Sequence, residues 1–178
     1  WDTVLDVAHA LLALGVRPGD RVAVQSENRP EWLFLDMATV AIRATTVGLY
    51  PTNPTAETSY LLSHSGACLH LAEDQEQVDK VLESGDLPQL RRIVYVESRG
   101  LRTYDDPRLL AWDALVAMGR EHRLAHPGAV EALVDAGLLS EDIDPATGEL
   151  WGNYPQTYSL VGLINCAVLL SKGWSEVR

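Results

Sequence analysis

The sequence predicts an α/β protein: a partial, doubly wound and mostly parallel sheet, followed by a β-hairpin and one apolar helix. Three observations predict it. Short apolar runs at 21–25, 45–50, 68–72 and 92–97 alternate with stretches of helical spacing, and strands joined through helices imply parallel crossovers. The runs are almost wholly apolar, as strands buried on both faces are. The chain of 178 residues is 47% hydrophobic and 22% charged, enough to form a core and too apolar for disorder.

Val4 to Leu14 carries Leu5, Ala8 and Leu12 at helical spacing, with Gly15 as a stop. Arg17-Pro18-Gly19-Asp20 is a turn by composition. Arg21 to Gln25 is a β-branched strand, and Ser26 to Pro30 a loop in which Asn28 is the expected helix cap and Pro30 lies in the first turn. A helix follows from Glu31 to about Arg43, apolar on nearly all sides, then a strand from Thr45 to Tyr50. Pro51 to Thr55 cannot continue that strand; a helix starts near Ala56 and Gly66 closes it. Cys68 to Ala72 is a strand, Glu73 to Glu83 a helix with a polar face, Arg92 to Glu97 a strand and Leu109 to Arg123 one more helix.

Composition excludes several function classes. The net charge is −11, which argues against nucleic acid or an anionic membrane surface as partner, since both need clustered Lys and Arg. Cys68 and Cys166 stand alone, so neither a disulfide framework nor a Cys-rich zinc site is expected, and a reducing cytoplasmic location follows. No basic segment precedes an apolar one at the N-terminus, so no signal peptide is expected. The chain opens on Trp1, which reads as an excerpt or a processed chain. The apolar run Leu160–Leu170 is interrupted by Asn165 and is too short to span a bilayer.

Leu14 to Ala23, Ser26-Glu27-Asn28-Arg29-Pro30-Glu31-Trp32, Gly48-Leu49-Tyr50-Pro51-Thr52 and Ser65-Gly66-Ala67 resemble, in order, the opening of the acyl-adenylate-forming ligases. Glu73-Asp74-Gln75-Glu76-Gln77 brings the likeness closest to the AMP-forming long-chain fatty acyl-CoA synthetases. The resemblance covers residues 1–130 and implies a partial N-terminal α/β domain. For the complete family it implies ATP, Mg²⁺, CoA and a fatty acid substrate. Each matching piece also reads as scaffold: a turn, a cap, a strand end.

Adenylation needs backbone N–H groups and a Lys for the phosphates, with an acid to hold Mg²⁺. The family supplies a Ser/Thr/Gly-rich loop ending in Pro-Lys-Gly. This chain has two lysines, Lys80 and Lys172, and neither lies in such a loop or in a G-x-x-x-x-G-K motif. No cofactor is therefore expected to bind these 178 residues, and no adenylate to form on them.

The sequence changes character near residue 130. Residues 1–130 carry 12 basic and 18 acidic side chains, net −6, whereas 131–178 carry 2 and 7, net −5, in barely a third of the length. Gly137 to Pro145 and Thr147-Gly148-Glu149 read as a strand, a turn and a return strand, and Thr157 to Ser171 as a helix apolar nearly all round, of the kind buried inside proteins. Gly137-Leu138-Leu139-Ser140-Glu141, Asp144-Pro145, Thr147-Gly148, Gly152 to Gln156 and Gly162 to Asn165 resemble the C-terminal segment of glucoamylase-like glycoside hydrolases, including the bacterial trehalase relatives. That likeness covers 132–178 and implies an α/α-toroid piece with Glu141 as general base toward an α-glucoside. Such chemistry needs a second carboxyl as acid, about 6.5–9.5 Å away in inverting enzymes, and the family's acid-bearing unit has no match here. Glu141 otherwise reads as a solvated turn acid.

His122 and His126 are four apart, but with no third ligand they read as a surface pair rather than a metal site. Asp142-Ile143-Asp144 starts like a calcium loop and then departs from it at Ala146 and Thr147. The whole reads as an inactive chimera of two incomplete domains, 1–130 and 131–178, joined near 128–137. A glycosidase remnant and a non-catalytic remnant are the alternatives. Self-association through the apolar helix 157–171 is expected, with weak contacts to the front part.

Overall fold

The computed structural model describes residues 1–136 and the backbone of 142–143 and 150–151. The compact α/β unit is Asp2–Leu133. Its order is α1 (Asp2–Ala13), β1 (Arg21–Gln25), α2 (Pro30–Ala41), β2 (Thr45–Leu49), α3 (Thr55–Ser65), β3 (Leu69–Ala72), α4 (Gln75–Leu82), β4 (Arg92–Tyr95), a 3-10 turn (Leu101–Thr103), β5 (Leu109–Ala111), α5 (Trp112–Ala125) and the start of α6 (Ala129–Ala136). The five strands form one sheet in the order β2-β1-β3-β4-β5, and every pairing is parallel.

Register sets the two faces. Val22 pairs with Leu69, and Val24 with Leu71, which pairs in turn with Val94. These five side chains lie in one core with α1, α2 and α5, where Leu11, Leu35, Ile42 and Leu115 are fully buried. Each such side chain contributes about 1.5–3 kcal/mol on burial. Ala23, Ala72 and Ile93 point the other way, into a second core with Leu62 of α3 and Val78 and Val81 of α4. A sheet with helices on both faces is the doubly wound arrangement the sequence predicts.

Differences are local. Leu109–Ala111 is not the start of a helix but an edge strand, because Leu109 and Ala111 pair with Ile93 and Tyr95. Helix α4 starts two residues later than expected, since the Asp74 side chain caps it by accepting the Gln77 N–H. Asn28 is not a cap: Pro30 takes the first helical position, which makes Arg29 the capping residue, with no side-chain cap bond. Gly66 closes α3 at φ +61°, a left-handed conformation that glycine adopts without strain.

In a second unit, Asp142 and Ile143 pair antiparallel with Trp151 and Leu150, a short hairpin where one is expected. The expected helix 157–171, Glu141 and Lys172 lie outside the described residues. Among the described residues no helix is long and apolar enough to cross a membrane.

Candidate functional site

A parallel sheet offers its ligand site where neighbouring strands send their connections to opposite faces, at the carboxyl ends. Here that point lies between β1 and β3: α2 follows β1 on one face, and α4 follows β3 on the other. The ladder runs one residue past β3 and two past β4. The Glu73 N–H donates to Gln25 O (3.1 Å), and the Glu97 N–H donates to Glu73 O (2.8 Å). Three strand ends therefore lie side by side.

Arg29 fills the point between them. Its Nε donates to Glu31 (2.9 Å), one terminal nitrogen to Glu73 (3.3 Å) and the other to Glu97 (3.1 Å). Glu73 also accepts the Glu27 N–H at 2.7 Å. Partial burial disfavours the Arg29 charge, but the hydrogen bonds to Glu31 and Glu97 and the field of Glu73 outweigh it and hold its pKa above the ordinary value. One guanidinium facing three carboxylates leaves an acidic excess. The Gln25 amide nitrogen is also committed, donating to Tyr50 O and Thr58 Oγ1, both at 3.1 Å, while its Oε1 is buried without a partner.

A nucleotide phosphate needs unpaired N–H groups or an uncommitted cation. Helix α2 begins with Pro30, which has no N–H, and continues with Glu31. Arg29 is bound by three acids. Arg29 and the first turn of α2 therefore offer a phosphate neither an uncommitted cation nor, at Pro30, an N–H. Lys80 does not supply the missing cation either: its Nζ bonds Pro51 O at 2.7 Å, Gln77 at 3.1 Å and Glu76 at 2.8 Å.

Two cavities lie elsewhere. One of about 620 Å³ is lined by Asp2, Asp6, Arg120, Arg123 and Glu131 among others, at α1, α5 and α6. One of about 470 Å³ at the amino-terminal edge of the sheet holds Arg17, Arg21, Arg91, Asp20 and Cys68. Two of its arginines serve helix ends. Arg21 donates to Ser65 O and Gly66 O at the end of α3, and Arg91 to Gly15 O after α1 and to Asp20. They satisfy carbonyls that a helix terminus leaves unpaired.

His122 and His126 are neighbours, with ring centroids 4.5 Å apart, but the surface-pair expectation is incomplete: His122 is half-buried and meets buried His9 of α1, with 3.0 Å between their Nδ1 atoms. Among the described residues no three His, Cys, Asp or Glu side chains are placed to hold one metal ion.

Fold and edge together define a parallel α/β scaffold whose switch point carries a cluster of ion pairs. A sequence model described as "AMP-binding enzyme" matches residues 1–129, and the chain belongs to that family. It is 36% identical over 99 residues to long-chain-fatty-acid–CoA ligase FadD15 of Mycobacterium bovis, covering 55% of this chain and 16% of that protein. It therefore spans about a sixth of that relative's length. It is 37% identical over 79 residues to protein Rv1549 of Mycobacterium tuberculosis, covering 44% of this chain and 45% of that one. Acetoacetyl-CoA synthetase from Streptomyces lividans superposes with a TM-score of 0.54 at 28% identity, covering 65% of this chain and 19% of the synthetase.

Proposed function

We propose that residues 1–129 are the N-terminal α/β unit of an AMP-forming long-chain fatty acyl-CoA ligase, and that these 178 residues by themselves form no acyl-adenylate. The observation that supports this reading is at the switch point, where Arg29 is spent on Glu31, Glu73 and Glu97. The absence of a Pro-Lys-Gly loop from the sequence points the same way. Relatives named as fatty acid ligases support the substrate class. On this reading ATP, Mg²⁺ and CoA are held by parts of a ligase other than this unit, whose role is to support them. Cys68 is free, and a sequence with only two, widely separated cysteines fits a reducing, cytoplasmic setting. Fatty-acid-dependent ATP–pyrophosphate exchange tests the proposal. No exchange above the blank is expected; exchange that rises with fatty acid overturns it.

A second reading concerns residues 132–178. The family match ends at residue 129, beside the shift in charge density, which favours a junction near 128–137 and a tail of different origin. In that tail Glu141 is the candidate base, and one carboxylate cannot both activate water and protonate the leaving oxygen in the same step. No hydrolysis of maltose or trehalose is expected. Hydrolysis abolished by Glu141→Gln would show that a second acid is present.

A further inference from the structure

The interface of α1 and α5 holds a histidine pair for which the ligase reading has no use. His9 is fully buried on α1, and its Nδ1 lies 3.0 Å from Nδ1 of His122 on α5. Two imidazole nitrogens at that distance share one proton, one donating and the other accepting. His9 Nε2 is buried without a partner. An orphaned buried N–H is rarer in proteins than an orphaned acceptor, so the favoured tautomer has His9 Nδ1–H donating to His122 Nδ1. His122 then keeps its own proton on Nε2.

Neither ring takes a further proton in this geometry without loss. Protonating His122 sets a second N–H against the first. Protonating His9 puts a charge, and an unpaired N–H, into an apolar interface. The surrounding charges are divided. Burial disfavours a cationic His9 most, followed by His122; Glu131 of α6 and Asp6 of α1 favour it, and Arg123 of α5 opposes it. Asp6 is itself bound by Arg120 and Arg123. His126 adds to burial in disfavouring a cationic His122. Helix α2, packed on α1, brings Glu31, which Arg29 holds, and Asp36. The sheet face beneath is apolar.

We propose that His9 and His122 form an acid-released latch between α1 and α5: one shared proton joins the helices while both rings are neutral, and uptake of a second proton opens the interface. The sign follows from linkage. Both rings resist charging when closed and charge freely when open, so opening is favoured as pH falls below the ordinary histidine value. Opening then rises by up to about tenfold per pH unit for each proton taken up.

Amide hydrogen exchange on the full chain between about pH 7.5 and about pH 5.5, which brackets ordinary histidine titration, tests this once intrinsic exchange is corrected for. The opening constant of α5 amides is expected to rise steeply in this window, and His122→Gln is expected to reduce the slope by up to about tenfold per pH unit. An unchanged slope in His122→Gln overturns the latch. Ring nitrogen-15 shifts of the unmodified chain give a reading independent of any variant's folding. Protons on His9 Nδ1 and His122 Nε2 at neutral pH are expected; a cationic ring, or both rings protonated only on Nε2, overturns it.

Discussion

Gly119 of α5 rests directly on the main-chain carbonyl of Asp6 in α1, with no room for a Cβ between them. This close crossing brings Asp6 to Arg120 and Arg123, and His9 to His122. The obstacle is backbone, which cannot rotate aside. Gly119→Ala gains about 1 kcal/mol of helix propensity, while overpacking costs about 1–3 kcal/mol and more where backbone must shift. Net destabilisation is expected, read as a lower urea midpoint. A variant as stable as the parent would contradict the tight crossing.

Asp6 and Asp2 both pair with Arg123, but the Asp6 side chain is 7% exposed and that of Asp2 89%. Asp6 takes charge-assisted hydrogen bonds from Arg120 and Arg123 away from bulk water, where such bonds count for more, whereas the bond to exposed Asp2 is largely replaced by water. Asp6→Ala is expected to cost about 1–3 kcal/mol, and Asp2→Ala less than about 0.5 kcal/mol. Equal losses in denaturant titrations would contradict the burial argument.

His70 on β3 is fully buried and neither ring nitrogen has a partner. Burial pushes its pKa down to about 3 from 6.5. The unfolded chain therefore binds the proton first: the stability of the neutral ring is intact above pH 6.5 and is lost as pH falls toward 3, at about 1.4 kcal/mol per pH unit. His70→Leu removes both the titration and the unpaired groups. It is expected to flatten stability against pH in this range and to raise stability at neutral pH by about 1 kcal/mol. A parallel curve displaced downward would show that the imidazole is satisfied in the fold.

Arg29→Leu leaves Glu31, Glu73 and Glu97 facing one another. These side chains are partly exposed, so a loss of about 1–3 kcal/mol is expected, below that for a fully buried pair. Salt screens repulsion between carboxylates, so the deficit is expected to shrink at high ionic strength. A deficit indifferent to salt would show that the loss is one of packing.

Local elements were legible where sequence punctuation agrees with tertiary structure. Strand β1 lies between Pro18-Gly19 and the Ser26 loop, and its observed bounds match the reading; Gly66 ends α3 for a reason visible in its type alone. Leu109–Ala111 was not legible, because three apolar residues running into Trp112 fit the start of a helix as well as a strand, and only pairing with β4 decides. The two side-chain clusters were hidden by distance. His9 lies 113 positions from His122, so spacing revealed only the His122–His126 half. Arg29 meets Glu73 and Glu97 because strand order brings three loops together. One signal was present: an acid follows directly or closely after β3 and β4, at Glu73 and Glu97.

The proposed function requires that the switch point between β1 and β3 take no nucleotide. Titrating the full chain with Mg-ATP while following the backbone amides of residues 26–31 and 73–75 by NMR tests it most directly. No saturable shift is expected at these amides. Saturable shifts there, abolished by Arg29→Leu, would mean that the guanidinium exchanges its carboxylates for phosphate, and would contradict the proposed function.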